Sequence, residues 1–238
     1  MYKIKALVPL LGVILLISCA QVTITGSGNV VTQEEAITGF DNVDVSNSFN
    51  VEITQGEDFN VVIRIDDNLV EHLNVVKQGS TLRIGLEQAQ SYIILDATME
   101  AEVTMPELVG LELSGNSDAL VSGFDSTQSL AVDLSGNSDL RGDIQAGDAS
   151  LDVSGNSSVT LSGSAGNISI DASGSSEVDF ANFPALDGEV NASGASTVTV
   201  NLSGRLDADA SGSSNIYYLG NPELGNTNTS GASNIQPK

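Results

Sequence analysis

A short motif returns seven times in the second half of the chain, and it limits the fold more than any other feature. The pattern is apolar-x-apolar-Ser-Gly-x-Ser-x-apolar, with its Ser-Gly pair starting at 114, 135, 154, 173, 193, 211 and 230. The intervals of 21, 19, 19, 20, 18 and 19 residues are too short for a helical-hairpin repeat. Apolar residues alternate with polar ones instead of recurring at helical spacing, so the unit is built of strands. The natural solution is an all-β, right-handed parallel β-solenoid (β-helix) of roughly 19-residue coils, each resting on the one before.

Aligning the copies separates the columns by parity. Before the Ser-Gly pair, one inward column runs Leu111, Val132, Leu151, Ile170, Val190, Ala208 and the next Leu113, Leu134, Val153, Ala172, Ala192, Ala210. After it another runs Ala119, Leu140, Val159, Val178, Val198, Ile216, Ile235. Where the first walls narrow to alanine, Phe180 and Tyr218 stand across the turn, as a core of constant volume requires. The repeated glycine predicts a corner with positive φ. The flanking serines are expected to form hydroxyl ladders that satisfy the backbone there, which leaves them no role as nucleophiles.

Residues 26–107 lack the repeat but are also β in character, with alternation over Val43–Val45, Phe49–Thr54, Phe59–Ile65, Val75–Lys77 and Thr81–Leu86. Gln55-Gly56-Glu57-Asp58 and Gln78-Gly79-Ser80 read as links of antiparallel hairpins. A helical turn is expected over Asp67–Leu73, with Asp66 or Asp67 as its N-cap and His72 as a surface or boundary residue. Whether this region winds into the solenoid or forms a separate hairpin cap is left open by the pattern. One cap is needed at each end, because an exposed coil templates aggregation. The polar stretch Asn221–Asn228 with the tail would serve at the far end.

The amino terminus carries an address. Lys3 and Lys5 precede an apolar run from Ala6 to Ile17, too short for a membrane-spanning helix but suited to an export signal. It ends in Leu16-Ile17-Ser18-Cys19, which resembles the lipobox of bacterial lipoproteins. That resemblance implies a signal peptide over 1–18, cleavage before Cys19, acylation of Cys19, and an anchor and linker over 19–25. The N-terminal β region then covers 26–107, and the repeat solenoid with its cap covers 108–238. The expected location is the cell envelope of a bacterium, tethered to the outer membrane or cell surface.

Charge and composition exclude whole classes of function. Eight Lys plus Arg face 31 Asp plus Glu for a net charge of −23, which repels a phosphate backbone and argues against nucleic acid as a partner. Loss of residues 1–18 removes Lys3 and Lys5 and no acid, so the mature value becomes −25. One His, one Cys and no Trp leave too few parts for a His-based metal centre or a disulfide framework, and no catalytic residues are identified.

Between the two inward columns lies an outward one of Glu112, Asp133, Asp152, Asp171, Asn191, Asp209 and Asn228, with Asp118, Asp139 and Glu177 in a sparser column across the turn. Stacked about 4.8 Å apart, like charges repel by roughly 0.9 kcal/mol per pair in water. Two readings follow: a surface that collects divalent cations, Ca²⁺ foremost, through Glu112, Asp133, Asp152, Asp171 and Asp209, or a device for solubility that blocks edge pairing. Tyr217, on an outward position, is the candidate for stacking on a sugar ring.

The segments Gly26-Ser27-Gly28-Asn29-Val30-Val31, Gly39-Phe40-Asp41-Asn42-Val43, Phe49-Asn50-Val51-Glu52-Ile53-Thr54-Gln55-Gly56, Asp66-Asp67-Asn68-Leu69, Gly79-Ser80-Thr81-Leu82-Arg83-Ile84 and the recurring Leu-Ser-Gly-Asn-Ser together resemble the auto-transporter adhesin head, GIN domain, family over about residues 26–235. The resemblance implies an all-β, solenoid-like surface protein and supplies no catalytic residues. After Ile235 only Gln236-Pro237-Lys238 follow, so no translocator barrel is expected. The expected function is a non-enzymatic envelope lipoprotein, adhesin-like or scaffolding, that binds protein or glycan along the solenoid wall. The alternatives are a polysaccharide-acting β-helix enzyme and a cation-dependent glycan-binding protein.

Overall fold

In the computed structural model, which describes residues 21–87 and 91–238, the repeat forms two parallel sheets facing one another. Each coil contributes one strand to each sheet. The first wall of the coils takes Gly110–Leu113, Leu130–Leu134, Ala149–Val153, Ile168–Ala172, Gly188–Ala192, Arg205–Ala210 and Glu223–Thr229. The second takes Asp118–Asp125, Asp139–Gln145, Ser158–Ser164, Glu177–Ala185, Thr197–Leu202, Asn215–Gly220 and Asn234–Pro237. The β-solenoid expected from the repeat is therefore the fold. Because partners in register point to one side, the inward columns close into a continuous core: Leu113, Leu134, Val153, Val159, Ile170, Val178, Val190, Val198 and Ile216 are all buried. Phe180 is buried opposite the alanine rungs and stacks at a tilt on Phe183, ring centroids 4.7 Å apart.

The Ser-Gly corners have the expected geometry. Gly115, Gly136, Gly155, Gly174, Gly194, Gly212 and Gly231 all have φ between 74° and 80°. The amide of the residue after each of these glycines from Gly136 on donates to the corner glycine's carbonyl in the coil below, as in Asn156 N to Gly136 O at 2.8 Å and Ser213 N to Gly194 O at 2.7 Å. The serine three residues after each Ser-Gly serine turns inward. Ser117, Ser138, Ser176, Ser196 and Ser214 are buried and donate to the carbonyls of Ser114, Ser135, Ser173, Ser193 and Ser211. Asparagines outside the corner stack as well: Asn137 donates to Asn116 and Asn156 to Asn137, each at 2.7 Å.

The open question of the N-terminal region has a definite answer. Asn42–Val45 pairs in parallel with Gly110–Leu113, and Asn50–Gln55 with Asp118–Asp125, so these strands form a further rung of the same solenoid. In that register Ser46 and Asn47 stand where Ser114 and Gly115 stand one coil later. Asn47 and Ser48 take positive φ, 63° and 69°, with asparagine in the left-handed role that glycine fills elsewhere. Phe49, fully buried, replaces the inward serine and closes the core below the hydroxyl ladder.

One of the two predicted hairpins is present. Leu73–Gln78 and Thr81–Leu86 pair antiparallel across Gly79. The other is a correction, because Asn50–Gln55 and Asn60–Asp66 do not pair. Met99–Met105 lies between them, parallel to the first and antiparallel to the second. A four-residue link reaches about 13 Å, enough to step over one strand, and Met99, Ala101, Val103 and Met105 fill the inward positions of the inserted strand. Val30–Glu34 then pairs antiparallel with Asn60–Asp66 at the sheet edge.

Asp67–His72 is a 3₁₀ turn, as the sequence suggested, but Asp66 does not cap it with its side chain. That buried carboxylate instead accepts from Gly28 N at 2.6 Å and Thr98 N at 2.7 Å, clasping three segments together. The linker expected over 19–25 needs revision too: Gln21–Thr25 is a strand, paired in parallel with Ser91–Leu95 as a separate two-stranded ribbon. The export signal over 1–18 and Cys19 lie outside the described residues. Among the described residues no helix is long and apolar enough to cross a membrane.

Candidate functional site

Only side chains that leave the two walls can meet a ligand. On the first wall each coil turns out two residues. One column is small, Gly110, Ala131, Ser150 and Ser169, before it reaches Glu189 and Asp207. The other is the acidic column, and pairing places its members in unbroken register: Asp44, Glu112, Asp133, Asp152, Asp171, Asn191, Asp209, Asn228. Asp44 and its partner Arg83, absent from the repeat alignment, extend the column downward, with Arg83 Nε donating to Asp44 Oδ2 at 2.7 Å.

One end of this column carries a countercharge and the other has amide donors, while its middle has neither. Arg83 sits at one end. At the other, Asn191 donates to Asp171 at 2.9 Å and Asn228 to Asp209 at 2.6 Å. Partial desolvation, and after it the charges of Asp44 and Asp133, push the Glu112 carboxyl above its ordinary value; desolvation and then Asp152 do the same to Asp133. The carboxylates run along the wall in single file. Among the described residues no group of three or more His, Cys, Asp or Glu side chains gathers closely enough to hold a metal ion.

The second wall carries a site that the repeat could not reveal. Its N-terminal half forms an open depression of about 890 Å³ in which Glu52, Arg64, Glu100, Glu102, Asp118, Leu120, Asp139 and Arg141 meet. Two register lines produce it. One runs Arg64, Glu100, Asn50, Asp118, Asp139; the other Glu102, Glu52, Leu120, Arg141. Arg64 Nη1 pairs with Glu100 at 2.5 Å and Arg141 Nη2 with Asp139 at 3.0 Å. Partial desolvation, then Asp139, raise the Asp118 carboxyl. Leu120 is half exposed in the middle, and the Asn137 and Asn156 amides line one side. Two guanidinium groups, an apolar patch and a row of acceptors suit a polyhydroxylated or peptide ligand held by many modest hydrogen bonds.

Of the residues expected from sequence, Asp118 and Asp139 belong to this depression, while Glu112, Asp133, Asp152, Asp171 and Asp209 line the other wall. Arg64, Glu100, Glu102 and Glu52 were missed as site residues, since they come from strands outside the repeat whose register depends on the inserted Met99–Met105. Tyr217 does face outward, half buried, between Thr199 and Gln236, so it offers one ring and no aromatic platform. His72 packs on Tyr92, centroids 5.5 Å apart, with Glu71 at 3.8 Å, in a boundary position away from both walls.

A third recess of about 570 Å³ runs along the corner opposite the Ser-Gly turns, where Asp148, Asp187 and Asp207 tie coil to coil. Asp148 accepts from Asn167 N, Asp187 from Arg205 N, and Asp207 from Asn226 N at 2.7 Å. Arg205 also grips Asp207 through Nε and Nη2 at 2.6 and 2.8 Å. This guanidinium, with the Asn226 amide, lowers the Asp207 carboxyl to about 2. Its carboxylates serve as internal fasteners.

Known proteins share this architecture. A crystal structure described as a "putative adhesin" from Bacteroides fragilis superposes with a TM-score of 0.80 at 22% identity, covering 90% of this chain and all of its own (100%). A "putative lipid binding protein" from Parabacteroides distasonis gives 0.72 at 22% identity over 91% of this chain and 99% of its own. A "putative adhesin" from Parabacteroides merdae gives 0.66 at 16% identity, again over 91% and 99%. No curated protein matches the chain. The family described as "Putative auto-transporter adhesin, head GIN domain" matches residues 39–222, which span both the hidden first rung and the glycine-cornered coils, and the chain belongs to that family.

Proposed function

We propose that this chain is a non-enzymatic envelope protein of adhesin type, anchored by lipid at Cys19, that binds a glycan or protein ligand through the depression on its second wall. Family membership and the descriptions of similar structures, which name adhesins and a lipid-binding protein rather than enzymes, support the class. The observation that carries the site is the meeting of Arg64, Arg141, Leu120 and five carboxylates on one open face of a molecule otherwise poor in cations. The serines of the motif are used up in the corners, which supports binding over nucleophilic chemistry. The test is retention of beads coated with residues 20–238 on arrayed envelope and host glycans and on cell surfaces. An Arg64→Ala, Arg141→Ala double variant should lose retention while keeping its unfolding midpoint; undiminished retention would place the ligand elsewhere. Anchoring is checked by incorporation of a clickable fatty acid into the full-length protein, which Cys19→Ser should abolish.

A second reading, cation-dependent binding on the first wall, is favoured by the uninterrupted run of Asp44, Glu112, Asp133, Asp152 and Asp171. Millimolar Ca²⁺ would raise the thermal midpoint relative to chelator in a way that Mg²⁺ does not reproduce. Equal midpoints in all three would remove this reading and leave the column as a solubility device.

A further inference from the structure

The two-stranded ribbon of Gln21–Thr25 and Ser91–Leu95 is covered on one face only. Ile24, Tyr92 and Ile94 pack inward against the core. Thr23 and Thr25 point the other way, in register with Ile93 and Leu95, which are 41% and 47% exposed. Parallel strands are ordinarily buried on both faces, so this small sheet lacks a neighbour on its outer side. The ribbon is also fixed in place: Gly26 N donates to Leu95 O at 2.9 Å, Asn68 Nδ2 to Thr25 O at 2.9 Å, and Ser27 N to Asn68 Oδ1 at 3.1 Å.

We propose that the outer face of this ribbon lies on the lipid bilayer. The argument rests on the lipid anchor read at Cys19 and extends it. Only Ala20 separates Cys19 from the first residue of the ribbon, so the acylated residue is held within roughly 7 Å of Gln21. A tether that short leaves no room for a gap between ribbon and membrane. The outward positions Thr23, Thr25, Ser91, Ile93 and Leu95 carry no charge, in a chain with 31 acidic residues against 8 basic ones. The solenoid walls would be repelled by anionic headgroups, whereas the uncharged Thr23, Thr25, Ser91, Ile93 and Leu95 offer hydroxyls and aliphatic chains to the headgroup boundary. The ribbon is therefore the part of the molecule able to rest on the bilayer, and it sets the direction in which the solenoid projects.

The absence of native tryptophan makes a clean optical test possible. Full-length lipidated protein carrying Ile93→Trp, and separately Leu95→Trp, is reconstituted into phosphatidylcholine vesicles with brominated acyl chains. Leu186→Trp, at an exposed corner of a later coil, is the control. Loss of emission and a blue shift at 93 or 95, with neither at 186, is the expected result, and the paired positions guard against one variant failing to fold. Co-flotation with vesicles but unquenched emission at both 93 and 95 would overturn the ribbon contact and leave the anchor standing, and equal quenching at all three sites would overturn it as well. Failure to float would overturn the anchor at Cys19 and the ribbon contact with it.

Discussion

Glycine at the serine corners answers to two separate constraints, and substitution can pull them apart. Gly28 and Gly155 share φ of 76°, but a Cβ at Gly28 would meet nothing within 4 Å, whereas at Gly155 it would run into the carbonyl oxygen of Gly136 in the coil below. Gly28→Ala is expected to cost only the left-handed penalty of about 1–2 kcal/mol. Gly155→Ala must also push two coils apart and should cost clearly more, which urea unfolding of the two variants would compare. Asp207 makes a second prediction at this scale. Its folded value of about 2 lies below the ordinary 3.8, so its contribution to stability is complete above pH 4 and is lost as pH falls toward 2. Asp207→Asn should therefore flatten the acid limb of the stability profile within that window, read by thermal unfolding from pH 5 to 2. Asn47 shows what the sequence hid at this scale. With Asn for Gly and Phe49 for Ser, the first rung did not align with the repeat, although its φ of 63° does the same work.

Strands and their columns obey a simpler rule, since each element takes its register from the one below. The inward columns and the order of the acidic column were legible because a 19-residue period and alternating parity leave one way to stack the coils. The depression on the second wall was not legible, since Arg64 and Glu100 meet only after Met99–Met105 enters between two strands that look like a hairpin. The acidic column itself yields a prediction. Because Glu112 and Asp133 titrate above their ordinary values, the folded state binds protons more tightly than the unfolded chain. Stability contributed by this column should fall as pH rises from about 4 through their folded values. Asp133→Asn should lessen that slope, leaving the share of Glu112, and raise neutral-pH stability by a few tenths of a kcal/mol, the screened remainder of roughly 0.9 kcal/mol per neighbouring pair in water. In 1 M salt the part of the gain that comes from charge repulsion should vanish, while the part that comes from desolvation stays.

The whole molecule is a stack in which each coil touches mainly its neighbours, so its stability should behave as a sum along one dimension. The N-terminal part is tied differently, through Asp66 bridging Gly28 and Thr98. Asp66→Ala leaves those two amides without their partner at a cost of about 1–3 kcal/mol. Hydrogen exchange should then quicken over residues 26–31 and 96–100 while the serine corners beyond 135 keep their protection. The solenoid was readable from sequence through its period. The ribbon was not, because five residues taken for a linker form a strand with a partner some seventy positions away.

The two ends of the stack differ in strand sense. At the far end, Glu223–Thr229 and Asn234–Pro237 both run with the coils. At the near end Leu73–Gln78 runs against them, while Val30–Glu34, reached through two successive antiparallel pairings, runs with them. A second copy offering its far end to this near end can satisfy the parallel geometry in one wall but not in the other. Open-ended growth needs a head-to-tail contact that repeats without closing, and here that contact would be antiparallel in one wall. End-to-end stacking of such chains would thus have to alternate parallel and antiparallel pairing in that wall, unlike the uniform stacking of the coils themselves.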